Sequence, residues 1–209
     1  MNMKGVINVT PVKAIFLDID GVLNCFNADK RFRSKSRCGS FLGIDKDKTQ
    51  RLATIVKETN AILILTSSWK IGWEPKGNYT VDKYDIYEEA TNYHAKYLDN
   101  HLKKKGKLVI TDKTRERNLN QRGTGIKAYL TQHPEIKDWI VIDDEVFYDF
   151  GRNKIFPHLI HTDSQFGLTD EIITVAIMML NGKITGPYEA STIHYGKTEN
   201  KTAGPSALI

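Results

Sequence analysis

The sequence predicts an α/β fold with a mostly parallel central sheet, on three observations. Short apolar runs alternate with amphipathic stretches of helical period, the pattern of repeated βα units. The apolar runs are continuous, as strands buried on both faces require. The 209 residues, 40% of them hydrophobic, suffice for one ordinary domain with a real core.

The elements follow in order. Residues 13–18, Lys-Ala-Ile-Phe-Leu-Asp, form a strand too short for a helix and end at a carboxylate. The polar stretch 24–44, rich in Arg, Lys, Ser and Gly, reads as a loop or flap. Residues 46–59 form a helix with Leu52, Ile55 and Val56 on one face and Asn60 as its stop. Residues 61–65 make a second strand, ending at Thr66-Ser67-Ser68-Trp69. Gly72, Pro75 and Gly77 mark 71–84 as a loop. A helix is expected over 85–103, with Ile86, Ala90, Tyr93 and Tyr97 on one face and Gly106 closing it. Residues 107–110 are the third strand and 123–132 a short helix stopped near Pro134. The fourth strand, 139–142, ends at Asp143-Asp144-Glu145, and 159–161 is a fifth. Thr169 is a helix N-cap, with Asp170 and Glu171 in the first turn and the stop at Gly182.

This divides the chain into a domain over 1–182, with short inserts at about 24–45 and 71–106, and a polar tail over 183–209. The tail is expected to be extended, packed on the surface, or an oligomer arm. The sequence leaves the oligomeric state open.

No apolar run approaches the roughly 20 residues that span a bilayer. The first ten residues lack a signal peptide's apolar stretch. A cytoplasmic protein without a membrane partner is expected. Cys25 and Cys38 show no metal-binding spacing, and reduced thiols are the simpler reading. The net charge of +5 favours anionic partners without identifying one. It is concentrated in Lys30, Arg31, Arg33, Lys35 and Arg37, with a second cluster at Lys103-Lys104-Lys105. The histidines show no metal-ligand spacing.

Three strand ends carry the chemistry. The first supplies Asp18-Ile19-Asp20-Gly21, the second Thr66-Ser67-Ser68, the fourth Asp143-Asp144-Glu145. Strand ends remote in sequence converge at the carboxyl edge of a parallel sheet. Carboxylates crowded there would repel unless a hard cation joined them, and Mg²⁺ suits an all-oxygen site shared with phosphate.

Ala14 to Leu23 resembles motif I of the haloacid dehalogenase superfamily. Ile64-Leu65-Thr66 is similar to motif II, and Ile140-Val141-Ile142-Asp143-Asp144 with Asp149 to motif IV. A narrower resemblance is to the domain of this type in Swiss Army Knife RNA-repair proteins. It rests on Asp20 to Asn24, Thr66 to Lys70, Arg122-Gly123, Asp143 to Glu145 and Gly167-Leu168-Thr169.

The resemblance implies a Rossmann-like three-layer sandwich with a small or absent cap, and a Mg²⁺-dependent phosphatase. Asp18 would be the nucleophile and Asp20 the acid/base, its backbone carbonyl also touching the metal. Thr66 and the Ser67 N–H would hold a phosphate oxygen. Asp144 would bind the metal, with Asp143 as the alternative, supported by Asp149. The motif III cation would be Arg122, then Lys127, then Lys113. Gly21, Ser67, Ser68, Lys70, Arg31 and Arg33 complete the substrate-binding candidates.

The stretch after Leu23 is too short for a large helical cap, which leaves an open site. Alternate cations of an extended flap could follow a phosphate backbone, and Phe32, Trp69 or Trp73 could stack a base. The alternative is a solvated loop, with Trp69 and Trp73 in the core. The phosphorylated substrate is expected to be a nucleic-acid end or a nucleotide. A small-metabolite phosphatase and a non-catalytic nucleotide- or RNA-binding protein are the competing readings.

Overall fold

The computed structural model describes residues 11–26, 43–77, 79 and 88–190, with the backbone alone for 88–93. The expectations placed on Arg31, Phe32, Arg33, Lys35, Arg37, Cys38 and the chain beyond residue 190 lie outside the described residues.

Among the described residues, six parallel strands form one sheet in the order β3-β2-β1-β4-β5-β6. They are β1 (Val12–Leu17), β2 (Ile62–Leu65), β3 (Ile110–Lys113), β4 (Ile136–Asp143), β5 (Leu159–His161) and β6 (Tyr188–Glu189). The helices are α1 (Lys46–Thr59), α2 (Glu88–Gly106), α3 (Arg122–Gln132) and α4 (Asp170–Leu180). The strand order reverses between β1 and β4. Crevices at such switch points are where open α/β sheets bind ligands.

Alternation along β1 sorts the core into two layers. Ile15 and Leu17 face α1, α2 and α4, joining Leu52, Ile55, Leu98, Leu102 and Ile172. Ala14 and Phe16 face α3, joining Ile126, Tyr129, Val141 and Phe150. Burial of each such side chain stabilises the fold by about 1.5–3 kcal/mol. The result is the expected three-layer, Rossmann-like α/β sandwich.

Local signals explain most boundaries. Asp45 caps α1 by accepting from the N–H groups of Asp47 and Lys48, and Asn60 ends it in the left-handed conformation. The place of the third strand needs correcting. α2 runs to Gly106, so the third strand falls at 110–113 rather than 107–110. Its end is fixed by Lys107 at φ 55°, with the Leu108 N–H bonded to the Leu102 carbonyl. Lys103, Lys104 and Lys105 thereby sit in the last helical turn, where the helix dipole favours cations. Beyond Gly182, Tyr188–Glu189 joins the sheet beside β5, so the first part of the polar stretch is structural. Thr169 has the extended backbone of an N-cap but makes no side-chain capping bond. Among the described residues, no helix is long and apolar enough to cross a membrane.

Candidate active site

The register of the sheet assembles the site. Leu17 lies opposite Leu65 on one side and Ile142 on the other, so the next residues, Asp18, Thr66 and Asp143, emerge side by side. The Asp18 N–H bonds the Ile142 carbonyl at 3.0 Å and the Thr66 N–H the Leu17 carbonyl at 2.9 Å. Both backbones are thus pinned where the strands end.

Gly21 closes the turn after Asp20 at φ +66°, and a Cβ there would fall 2.0 Å from Asp144 Oδ2. Only glycine meets both conditions. The Gly21 carbonyl accepts from the Thr162 hydroxyl at 2.9 Å, tying this turn to the end of β5. Asn24 holds the turn from within. Its amide donates to Asp20 Oδ1 at 2.8 Å, and its oxygen accepts from the Gly21 N–H at 2.9 Å. The Trp69 indole N–H donates to Asp20 Oδ2 at 3.0 Å. Asp20 is therefore gripped at both oxygens.

Arg122, the first residue of α3, reaches Asp18 Oδ1 at 3.1 Å and also binds Asp143. Its guanidinium lies over the Phe147 ring, 4.3 Å from the centroid. Gln121 gives α3 no side-chain cap. Asp149 supplies one from 26 residues away, accepting from the N–H groups of Gly123 at 3.1 Å and Thr124 at 2.7 Å. Gly125 leaves room for Glu116, whose Oε2 would lie 2.1 Å from a Cβ. Asp149 thus braces the turn that carries Arg122, and Glu116 packs against it. This corrects the expectation for Asp149, which holds the helix of the cation rather than a metal ligand.

The electrostatics are those of a desolvated anionic cleft. Burial pushes the Asp18 carboxyl up despite Arg122, and Asp20 adds to the rise. Burial raises Asp143 as well, again against Arg122. Asp144 is pushed up to about 7 by burial and by the charges of Asp18 and Glu145. Burial raises Asp20, opposed by its bonds from Asn24 and Trp69. Burial alone would lower Arg122, but Asp143 and Asp18 outweigh it and keep the guanidinium charged. Two buried polar atoms at this spot, the Thr66 hydroxyl and Arg122 Nε, have no hydrogen-bond partner among the described residues. Orphans of this kind call for a ligand or water.

The chain matches, over residues 14–173, the family model described as the HAD domain in Swiss Army Knife RNA repair proteins. It belongs to that family. No curated protein and no solved structure matches the chain.

Members of the haloacid dehalogenase (HAD) superfamily generally work with Mg²⁺, and the donor set here fits a hard divalent cation. Asp18, Asp143 and Asp144 each offer an oxygen within 4.8 Å of the others. Asp143 is already engaged at both oxygens, by Arg122 and by the Glu145 N–H at 3.0 Å. Asp144 is the freer ligand. The Asp20 carboxylate is outside the cluster.

Other predicted residues part from the site. Lys127 is exposed on α3, since it lies on the face turned away from the sheet. Lys113 pairs with Glu74 at 2.9 Å and donates to the carbonyl of Trp73. Lys70 is sequestered by Glu116 and the Thr114 hydroxyl, so it is no free phosphate ligand. Burial lowers its pKa, and Glu116 opposes that. Ser67 is buried beside Asp18, whereas Ser68 is exposed at the start of a 3-10 turn. Trp69 and Trp73 are 2% and 1% exposed, which rules out stacking on a base. Asn24, Glu116 and the pair Tyr148 and Arg152 were missed. Tyr148 is 67% exposed in the loop after Asp144, with Arg152 5.5 Å from its ring centroid. Arg152 also bonds Thr124 on the first turn of α3. Asn24 lies in the Asp20–Asn24 stretch, but nothing in the local sequence marks Glu116, Tyr148 or Arg152.

Proposed function

We propose that the protein is a Mg²⁺-dependent phosphomonoester hydrolase that forms a phosphoryl-enzyme on Asp18. The observation that carries this reading is the pairing of Arg122 with Asp18 at 3.1 Å beside the Thr66 hydroxyl, which has no hydrogen-bond partner among the described residues. A carboxylate, a cation and a hydroxyl thus sit together at the carboxyl edge of the sheet.

The chemistry runs in two displacements. An Asp18 carboxylate oxygen attacks phosphorus as the bond to the ester oxygen breaks, and the proton of Asp20 goes to that oxygen. Asp20, now ionised, takes a proton from water. The water oxygen attacks phosphorus, releasing phosphate and free Asp18. Arg122 and Thr66 hold non-bridging oxygens through both steps. The raised pKa of Asp20 suits a group that begins protonated, and Asn24 and Trp69 fix its direction. Asp18, Asp144 and Asp143 would hold the cation, with the Asp20 backbone carbonyl beside them. When bound, it would neutralise carboxylate and phosphoryl charge and orient the attack.

For the substrate, the favoured reading is a nucleic-acid end or a nucleotide. Family membership supports it, as does Tyr148, an exposed ring with the Arg152 guanidinium beside it on the loop after β4. The flap cations Arg31 and Arg33 belong to the same proposal. The test is phosphate release with Mg²⁺ from a 3′-phosphorylated oligonucleotide, a 5′-phosphorylated one and a nucleoside monophosphate. Preference for one oligonucleotide end, abolished by Asp18→Asn and by chelator, is expected. Release from the monophosphate alone would assign a small-molecule phosphatase. Binding without release from any would assign a non-catalytic protein.

A further inference from the structure

The sheet continues past the region that matches the family. Residues 14–173 are matched, whereas β6 lies at Tyr188–Glu189. Gly186 lets this strand in, because a Cβ there would lie 2.6 Å from the Leu159 carbonyl. Its register places Glu189 opposite His161 on β5, and His161 is in turn opposite Asp143 on β4. One row across the sheet therefore runs from the acidic cluster to the added strand.

His161 is engaged on both ring nitrogens. Nδ1 meets the Glu189 carboxylate, and Nε2 meets the backbone carbonyl of Asp144 at 3.0 Å. Both partners are acceptors; a neutral ring donates to one of them and a protonated ring to both. The Asp144 peptide is thus held by an imidazole whose own orientation is set by a carboxylate. The Asp144 side chain also packs against Gly21, where a Cβ would collide with it. The first residue of the loop, held by two such contacts, has little freedom to turn its carboxylate away.

We propose that His161 and Glu189 form a clamp that sets the Asp144 carboxylate for a divalent cation. The clamp rests on the metal reading above and deepens it. His161 and Glu189 are positioning residues, since neither needs to touch the cation or the substrate. Groups that orient a ligand from behind commonly change metal affinity about 10–100-fold when removed. Glu189 reaches Asp144 through His161, so the two losses of Mg²⁺ affinity should not add.

The test is Mg²⁺ titration calorimetry on the full chain without substrate, beside thermal unfolding of each metal-free variant. His161→Ala should weaken Mg²⁺ binding about 10-fold or more, and Glu189→Ala about 3–10-fold. The double variant should bind no worse than His161→Ala, and Glu189→Gln, which keeps an acceptor, should bind within about 2-fold of the parent. Glu189→Ala, on a half-exposed strand, keeps the test open should His161→Ala fail to fold. Unchanged Mg²⁺ affinity in Glu189→Ala, or fully additive losses in the double variant, would overturn the clamp. A parent protein that binds no Mg²⁺ would overturn the metal reading, and the clamp with it.

Discussion

The first turns of α1 and α3 solve one problem in opposite ways. α1 is capped locally, by Asp45 on the N–H groups two and three residues ahead. α3 has no local cap and borrows Asp149 from the loop after β4. The local solution stabilises a helix and nothing else. The long-range one couples the helix carrying Arg122 to the loop that follows Asp143 and Asp144. Cation and carboxylates therefore hold station together, which pre-organised charge stabilisation requires. The difference teaches that α1 is built to fold and the start of α3 to aim.

The sharpest way to break that contrast is to truncate one residue at each turn. Arg122→Ala should lower kcat about 10²–10³-fold, because it removes the proposed donor to the phosphoryl oxygens. Asp45→Ala should leave kcat within about 2-fold and cost about 1 kcal/mol in chemical denaturation. Equal losses of activity in the two would dissolve the distinction. Next in size is Asp149→Ala. It leaves two N–H groups of α3 without their acceptor, a cost of about 1–3 kcal/mol. A fall in kcat of about 10-fold should accompany it as Arg122 loses its aim. Stability lost with kcat intact would make Asp149 an ordinary cap.

A third prediction concerns pH. Asp144 is raised from 3.8 to about 7, so its protonated form stabilises the metal-free fold. That contribution is complete below about pH 4 and lost as pH rises through about 7; Asp18 and Asp143, also raised, act with the same sign. The melting temperature of metal-free protein should fall between about pH 5 and pH 8, and Mg²⁺ should restore it mainly at the upper end. A melting temperature flat across that range, or one that Mg²⁺ raises equally at both ends, would count against a desolvated cluster. The smallest effect expected is for Lys127→Ala. With the side chain in water on the outer face of α3, stability should change by less than about 0.5 kcal/mol and kcat not measurably.

The same contrast explains what could be read from the sequence. Local signals were legible: the apolar strands, Asn60 as a helix stop and the carboxylates at the ends of β1 and β4. Parallel pairing then brought Asp18, Thr66 and Asp143 together, as a switch-point crevice requires. What escaped depends on contacts distant in sequence. Lys70 looked like a phosphate ligand beside Thr66-Ser67-Ser68, yet Glu116 neutralises it from 46 residues away. Trp69 looked like a stacking platform, but its ring is buried and its N–H is spent on Asp20, 49 residues away. β6 is two residues long, too short for periodicity to reveal, and its pairing with β5 is what places Glu189.

The central claim is that phosphate passes through Asp18. The direct measurement is to quench the protein in acid during turnover with Mg²⁺ and map the phosphoryl group by peptide mass spectrometry. The account predicts a phosphorylated Asp18, absent in Asp18→Asn and longer-lived in Asp20→Asn, which lacks the base for the second step. Phosphate release by Asp18→Asn at the parent rate, or a phosphoryl group on another residue, would contradict it.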